Sequence, residues 1–168
     1  MDTTKEQQAG SNSDEWDSGE WRKVRNRKLR EWLLGDVHAV DSILTLSQIS
    51  ETWDDIVDGE PVTPDAVNAA FVAAVVTLGR NPFYQRNKAF LDGILMVGIN
   101  AWLDSTELER KPDEASRMYA FFLRNYCYEL TSAHAYLVGG WAHMRKVSHE
   151  MRLFFTHETY AQWEHRHV

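Results

Sequence analysis

Residues 37–58, VHAVDSILTLSQISETWDDIVD, decide the fold. Apolar side chains recur in this stretch every three or four residues, which is the spacing of one face of an α-helix. The members of this apolar stripe are Ala39, Ile43, Leu46, Ile49, Trp53, Ile56 and Val57. Asp36 can accept hydrogen bonds from the first free amides, and Gly59 can adopt the left-handed conformation that ends many helices. The sequence therefore predicts one long amphipathic helix between Asp36 and Gly59.

Boundary residues of the same kinds divide most of the chain into further helices. Thr63-Pro64 and Asn81-Pro82 each pair a capping side chain with a proline at the first helical position. The predicted helices cover approximately residues 21–33, 37–58, 64–78, 82–107, 113–138 and 141–155. No segment shows the sustained alternation of polar and apolar residues that a strand requires. The sequence predicts an all-α, single-domain bundle of about six helices.

Charge is distributed unevenly along the chain. The 168 residues have a formal net charge of −7. Residues 1–20 carry −5, residues 21–30 carry +6 and the remainder carries −8. The polar first segment has no apolar periodicity with which to offset its ordering entropy. We therefore expect a flexible acidic arm over 1–18, a helical bundle over 19–160 and a frayed C-terminal tail over 161–168.

A basic segment, WRKVRNRKLR, occupies residues 21–30. Such a cluster could contact the phosphates of a nucleic acid. The acidic body of the protein would repel a polyanion, so we favour the solvated face of a helix that lies near an acidic surface. The basic side chains are Arg22, Lys23, Arg25, Arg27, Lys28 and Arg30.

Composition excludes several classes of protein. No apolar run approaches the roughly 20 residues that span a bilayer, and the first residues lack the basic-then-apolar order of a secretory signal. The single cysteine, Cys127, excludes an intrachain disulfide and a zinc site built from several cysteines. We expect a protein of a reducing cytoplasm that does not bind membranes.

Two groups of oxygen-bearing side chains are the main chemical signal. Asp54 and Asp58 lie four residues apart, on one rim of the apolar stripe near the end of the second helix. Two neighbouring carboxylates repel each other unless a cation lies between them, and hard oxygen ligands at this spacing suit Mg²⁺. The second group, on one face of the predicted fourth helix, consists of Asn100, Asp104 and Glu107. The two groups form a metal site only if both face one cleft; otherwise each is an exposed helix face.

The string DDIVDG, which begins at Asp54, resembles the first aspartate-rich motif of the class I isoprenoid synthases, an all-α family. The resemblance implies that Asp54, Asp55 and Asp58 bind Mg²⁺ that holds a prenyl diphosphate, and that the second group is loosely similar to the family's second metal motif. Under this hypothesis, Arg86 or Lys88 would meet phosphate. No basic pair follows the first motif at the distance where prenyl synthases place their diphosphate-binding arginines. The all-α nucleotide pyrophosphohydrolases, which also use two acidic helices, are a looser parallel.

Four segments together, LREWLLGDVHAVDSIL, ETWDDIVDGEPV, RNPFYQRN and FFTHETY, resemble small helical proteins encoded by tailed bacteriophages. This resemblance implies a setting, the host cytoplasm or the virion, rather than a chemistry. Trp is frequent at binding hot spots, so Trp16, Trp21 and Trp163 are candidate anchors for a protein partner or a second copy. The alternative is that the terminal tryptophans fold back onto the bundle.

Two functional hypotheses follow. The first, which we favour, is a non-enzymatic structural or interaction protein whose aromatic-rich ends bind partners. The second is a Mg²⁺-dependent enzyme acting on a diphosphate, in which the metal neutralises charge on the leaving group. The missing pair of phosphate-binding basic residues favours the first hypothesis.

Overall fold

The computed structural model of the chain describes residues 19–156 and 158–167, and their regular structure is helical throughout, with no strand. The helices are α1, Gly19–Trp32; α2, Val37–Asp58; α3, Pro64–Val72; α4, Pro82–Leu108; α5, Glu114–Leu123; α6, Glu129–Phe155; and α7, Tyr160–His167. A π-helical segment, Ala73–Thr77, and a further turn, Leu78–Arg80, continue α3. A 3₁₀ turn, Tyr126–Tyr128, precedes α6. The prediction of an all-α, single-domain bundle is confirmed.

Capping side chains set three of the helix starts where the sequence predicts them. Asp36 Oδ1 accepts hydrogen bonds of 3.0 Å from the amides of His38 and Ala39 at the start of α2. Thr63 and Asn81 cap α3 and α4 in the same way, each before a proline. These oxygens satisfy amides that have no partner inside the helix, so the boundaries follow from local chemistry.

The main core lies where α1, α2, α4 and α6 meet. Its fully buried members include Leu29, Leu33, Ala39 and Leu91. The apolar stripe of α2 enters this core through Ala39, Ile43 and Leu46, whereas Ile56 and Val57 at the end of the same stripe are exposed. The periodicity of α2 thus predicts the side that faces the core, but the core ends before the helix does.

Helix α6 reverses direction at Gly140, whose φ of 75° and ψ of −176° are not helical. The rings of Tyr128 and Phe155 stack at 4.5 Å, and Arg152 forms an ion pair with Glu129. Residues 129–139 and 141–155 therefore run antiparallel. The sequence predicts this break at the paired glycines. It does not predict the break before Tyr128, which separates α5 from α6.

The two glycines of this reversal have different roles. Gly140 supplies the positive φ that residues with a Cβ rarely adopt. A Cβ on Gly139 would lie 2.5 Å from the ring of His143. The His143 Nε2 atom lies 2.7 Å from the carbonyl oxygen of Trp32, in the last turn of α1. Gly139 thus leaves the space in which His143 binds the end of α1.

Helix α7 covers most of the segment that the sequence predicts to be a C-terminal tail, helical at first and frayed at its end. Residues 160–167 are helical, and Trp163 is fully buried against Phe121 and Ala120 of α5. Arg117 of α5 forms a 2.9 Å ion pair with Glu164. The tail is ordered because its aromatic side complements α5, a tertiary contact with no local signal. The predicted arm over 1–18 lies outside the described residues.

Across residues 19–156 and 158–167, no helix combines the length and hydropathy that crossing a bilayer requires.

Candidate functional site

Asp54, the first predicted metal ligand, lies half-buried beside two tryptophans. Its Oδ1 atom accepts a 2.8 Å hydrogen bond from Nε1 of Trp102 on α4. The ring centroids of Trp102 and Trp53 lie 4.2 Å apart. Burial raises the pKa of the Asp54 carboxyl above its usual value, and the hydrogen bond from Trp102 opposes that shift. Asp54 is therefore a hydrogen-bond acceptor that helps to fix α4 against α2.

Arginines accompany the acidic end of α2. Asp54 and Asp58 line a recess of about 230 Å³ together with Ser105 and Thr106 of α4. The recess also contains Glu109, Arg110 and Arg124. The charge of Arg124 lowers the pKa of Asp54, against the stronger effect of burial. Protein cations thus share the recess with the carboxylates.

The second predicted group lies on another side of α4. Asn100, Asp104 and Glu107 are exposed, and Asn100 donates a 2.9 Å hydrogen bond to Asp104. At 100° per residue they lie roughly 140–160° around the helix axis from Trp102, which faces Asp54. In the described part of the chain, no three His, Cys, Asp or Glu side chains are placed to hold a metal ion. The structure does not bring the two groups to one cleft.

The predicted phosphate ligands lie near the opposite end of α4. Lys88 forms an ion pair with Asp92 and lies 5.6 Å from the ring centroid of Tyr84. Arg86 lines a separate recess beside Asp36. Fourteen residues of helix separate Lys88 from Trp102, which is roughly 21 Å along the axis. Neither side chain can reach a diphosphate held at Asp54.

Basic side chains of α1 contact acidic residues of neighbouring helices. Lys28 forms a 2.7 Å ion pair with Glu150 of α6, and Arg25 lies 3.5 Å from Glu51 of α2. Within α1 itself, Lys23 pairs with Glu20 at 2.7 Å. These contacts support the interpretation of residues 21–30 as a helix face beside an acidic surface.

The three tryptophans predicted as anchors have different positions. Trp163 is fully buried inside the α5–α7 contact, so a partner cannot reach it without displacing α7. Trp21 stacks on Phe154 at 6.1 Å, with the guanidinium of Arg25 over its ring at 5.0 Å. Trp16 lies outside the described residues. The most exposed described tryptophan is Trp141, which follows the glycine reversal of α6.

Trp141 belongs to an open cleft between the α4–α5 pair and the two halves of α6. The cleft has a volume of about 930 Å³. We call it the aromatic cleft; its aromatic and larger aliphatic lining residues are Phe90, Ile94, Phe121, Phe122, Tyr126, Tyr128, Tyr136, Trp141 and Met144. Phe122 is 65% exposed and Trp141 is 66% exposed. Large rings thus remain in water on both walls, which costs free energy unless a partner covers them.

The charged and amide side chains that line the aromatic cleft are bound to one another or to the backbone. Glu129 accepts two hydrogen bonds of 2.7 Å from the guanidinium of Arg152, and this pairing raises the pKa of Arg152. Asn125 donates a 3.2 Å hydrogen bond to the carbonyl of Phe121. The charges of Glu129 and Arg152 compensate each other, so the cleft offers mainly apolar surface.

Sequence reasoning misses the aromatic cleft because it assigns apolar helix residues to the core. The signal that could have found it is the adjacent pair Phe121 and Phe122 in α5. Neighbouring residues of a helix point about 100° apart, so two large rings in sequence rarely enter one core. In the structure Phe121 is buried and Phe122 is exposed. A large apolar residue next to the buried face of a helix thus indicates a second apolar surface, outside the core.

No protein-family model, curated protein or solved structure matches this chain.

Proposed function

We propose that this chain is a non-enzymatic interaction protein that binds an apolar segment of a partner protein in the aromatic cleft. The observation that carries the proposal is the exposure of large rings on both walls of one cleft. Phe122 and Trp141 are each about two-thirds exposed. Aromatic side chains are enriched at the energetic centres of protein interfaces, where burial of a ring contributes most of the binding free energy.

The openness of the cleft favours a protein partner over a small molecule. Small-molecule sites enclose about 70–90% of the ligand surface, mostly in concave pockets. Here the side chains that would dominate binding project into solvent at the rim. Projecting rings of this kind suit insertion between the side chains of a second protein. The partner segment should therefore present aliphatic or aromatic residues on one face, as an amphipathic helix does.

The chemistry of the cleft favours binding rather than catalysis. Its charged residues, Glu129 and Arg152, hold each other in a two-bond ion pair. Because both groups are engaged in this ion pair, neither the carboxylate of Glu129 nor the guanidinium of Arg152 is free to take part in a reaction. The resemblance of the sequence to tailed-bacteriophage proteins stays a prediction, and a role in a virion would be one setting for such a binding module.

A displayed library of random peptides of about 15 residues, or roughly four helical turns, tests the proposal on the full-length protein. We expect enrichment of peptides with apolar residues spaced for one helix face. Trp141→Ser and Phe122→Ser should each weaken their binding tenfold or more, the scale of a hot-spot residue. Leu153→Ser is the matched control, because Leu153 is 65% exposed but does not line the cleft. Peptides that bind all three variants equally, or a library without enrichment, would overturn the proposal.

A further inference from the structure

Helix α3 and its continuation form an uncharged rod on the outside of the bundle. Residues 66–79, AVNAAFVAAVVTLG, contain no charged side chain. Between Pro64 and Arg80, the buried residues are Ala70, Ala73 and Leu78. The rod thus contacts the bundle through a narrow stripe, mostly of alanine.

The opposite side of this rod is apolar and exposed. We call it the outer face; it consists of Val67, Phe71, Val72, Val75 and Val76. Phe71 is 67% exposed and Val75 is 63% exposed. A helix that is apolar all round is normally covered on every side. Monomeric proteins rarely expose a contiguous apolar patch larger than a few hundred Å².

Opposite charges stand at the two ends of the outer face. Asp65 lies in the first turn of α3, and Arg80 ends the continuation. Both are exposed, and within the described residues neither side chain forms an ion pair or hydrogen bond. Spacings of seven, four and four residues place Asp65, Val72, Val76 and Arg80 along one side of the rod. The rod is therefore apolar in its middle, negative at one end and positive at the other.

We propose that the outer face binds the same face of a second copy of this chain, with the two rods antiparallel about a two-fold axis. This arrangement brings Asp65 of each copy to Arg80 of the other, so the end charges are self-complementary. The axis passes near Val72 and Ala73. Phe71 then lies at the level of Ala74 in the second copy, and Ala69 at the level of Val76.

Two further observations favour this occupant. In that alignment Phe71 and Val76 each lie at the level of an exposed alanine, Ala74 or Ala69, which lets the two helices approach closely. The π-helical segment Ala73–Thr77 lies at the centre of the outer face, and such segments are rare and frequent at functional sites. The surface is distinct from the aromatic cleft, which none of these residues lines.

Sedimentation equilibrium of the full-length protein over roughly 1 μM to 1 mM tests the proposal. The wild type should form dimers, and Phe71→Ser and Val75→Ser should each raise the dissociation constant tenfold or more. Leu153→Ser, an equally exposed apolar residue outside the outer face, should leave that constant unchanged. Thermal unfolding of each variant at the lowest concentration shows that the monomer is folded.

Charge reversal tests the antiparallel arrangement. Asp65→Arg and Arg80→Glu should each weaken the dimer, because each places like charges together at both ends. The double variant Asp65→Arg/Arg80→Glu should restore the wild-type dissociation constant. A wild type that stays monomeric, or a dimer that α3 variants leave unchanged, would overturn the proposal. Failure of the double variant to restore the dimer would also overturn the proposal. A membrane-binding face would be indicated instead if the wild type stayed monomeric and bound phosphatidylcholine–phosphatidylglycerol vesicles while Phe71→Ser did not.

Discussion

Two aromatic regions meet at Phe121 and differ in what covers them. On one side, Trp163 and Tyr160 of α7 pack against Phe121 and form a small closed core. On the other side, Phe121 lines the aromatic cleft, whose rim holds the exposed rings of Phe122 and Trp141. Both regions are rich in rings. The difference shows that aromatic content alone does not reveal which rings stay in contact with water; a covering helix decides that.

Trp163 and Trp141 offer the largest contrast between the closed core and the open cleft. Trp163→Ala should destabilise the protein by about 3–5 kcal/mol, because it removes a fully buried ring and leaves a cavity. Trp141→Ala should change the free energy of unfolding by less than about 0.5 kcal/mol, since its ring is already in water. Chemical denaturation of both variants measures the difference. Equal destabilisation would mean that Trp141 is covered within the monomer.

His134 tests how well the main core excludes water. It directly follows Ser132 and Ala133, two residues of α6 that line the cleft. Burial lowers the pKa of His134 to about 4, while its ring contacts Ser42 and the carbonyl of Leu130. The unfolded state binds the proton more readily than the folded state. The contribution of neutral His134 to the free energy of unfolding is therefore fully present above pH 6.5 and is lost as the pH falls toward 4. The loss should reach about 3 kcal/mol.

The His134 loss is measured as the difference between the wild type and His134→Gln in denaturant titrations from pH 7.5 to about pH 4. Carboxylates that titrate in this range are common to both proteins and cancel. Parallel pH profiles would show that water or a counter-charge reaches the imidazole, and that the core side of α6 is as open as its cleft side.

Gly140 tests whether the shape of the cleft depends on the reversal of α6. Gly140→Ala should cost about 1–3 kcal/mol, because φ of 75° with ψ of −176° lies in a region that is essentially restricted to glycine. The two halves of α6 line the cleft together, so peptide binding should weaken as well. Gly35→Ala, just beyond the C-terminal end of α1, is a control with the same φ of 75°, and Gly35 does not line the cleft. Equal loss of peptide binding in both variants would remove the link between reversal and cleft.

Asp54 gives the smallest expected effect and tests the predicted metal site. Burial holds the pKa of Asp54 above its usual value, so ionisation of this carboxyl costs more free energy in the folded state than in the unfolded state. Asp54→Asn keeps an acceptor for Trp102 and should raise the Tm slightly at pH 7, with less gain as the pH falls toward 4. Mg²⁺, with or without pyrophosphate, should leave the Tm of wild type and variant unchanged. A Mg²⁺-dependent rise in the wild type alone would restore a metal site at Asp54.

Local chemistry accounts for what the sequence predicts well. Asp36, Thr63 and Asn81 fix helix starts through hydrogen bonds within three residues, so no knowledge of the fold is needed. The break at Gly139-Gly140 is local in the same sense. Local sequence could not decide whether Trp163 packs onto the bundle or stays free, because its contacts come from α5, more than forty residues earlier in the chain.

The described residues do not bring the two predicted metal-binding groups together, and the reason is geometric. A helical wheel correctly groups Asn100 with Asp104 on one face, but it does not show which face a neighbouring helix covers. The structure uses the Trp102 side of α4 against Asp54. The aromatic cleft could not be predicted either, since its residues come from α4, α5 and both halves of α6. Periodicity describes single helices, and a site between helices depends on their arrangement.

The exposure of Trp141 also gives this protein an intrinsic optical reporter. Trp32, Trp102 and Trp163 are buried, and Trp21 and Trp53 are partly covered, so Trp141 is the described indole with the most contact with water. In a Trp16→Phe background its emission should be the most red-shifted and the most readily quenched by iodide. Occupation of the cleft should shift that component to the blue and protect it from the quencher. Ligand binding can therefore be followed by fluorescence without any label.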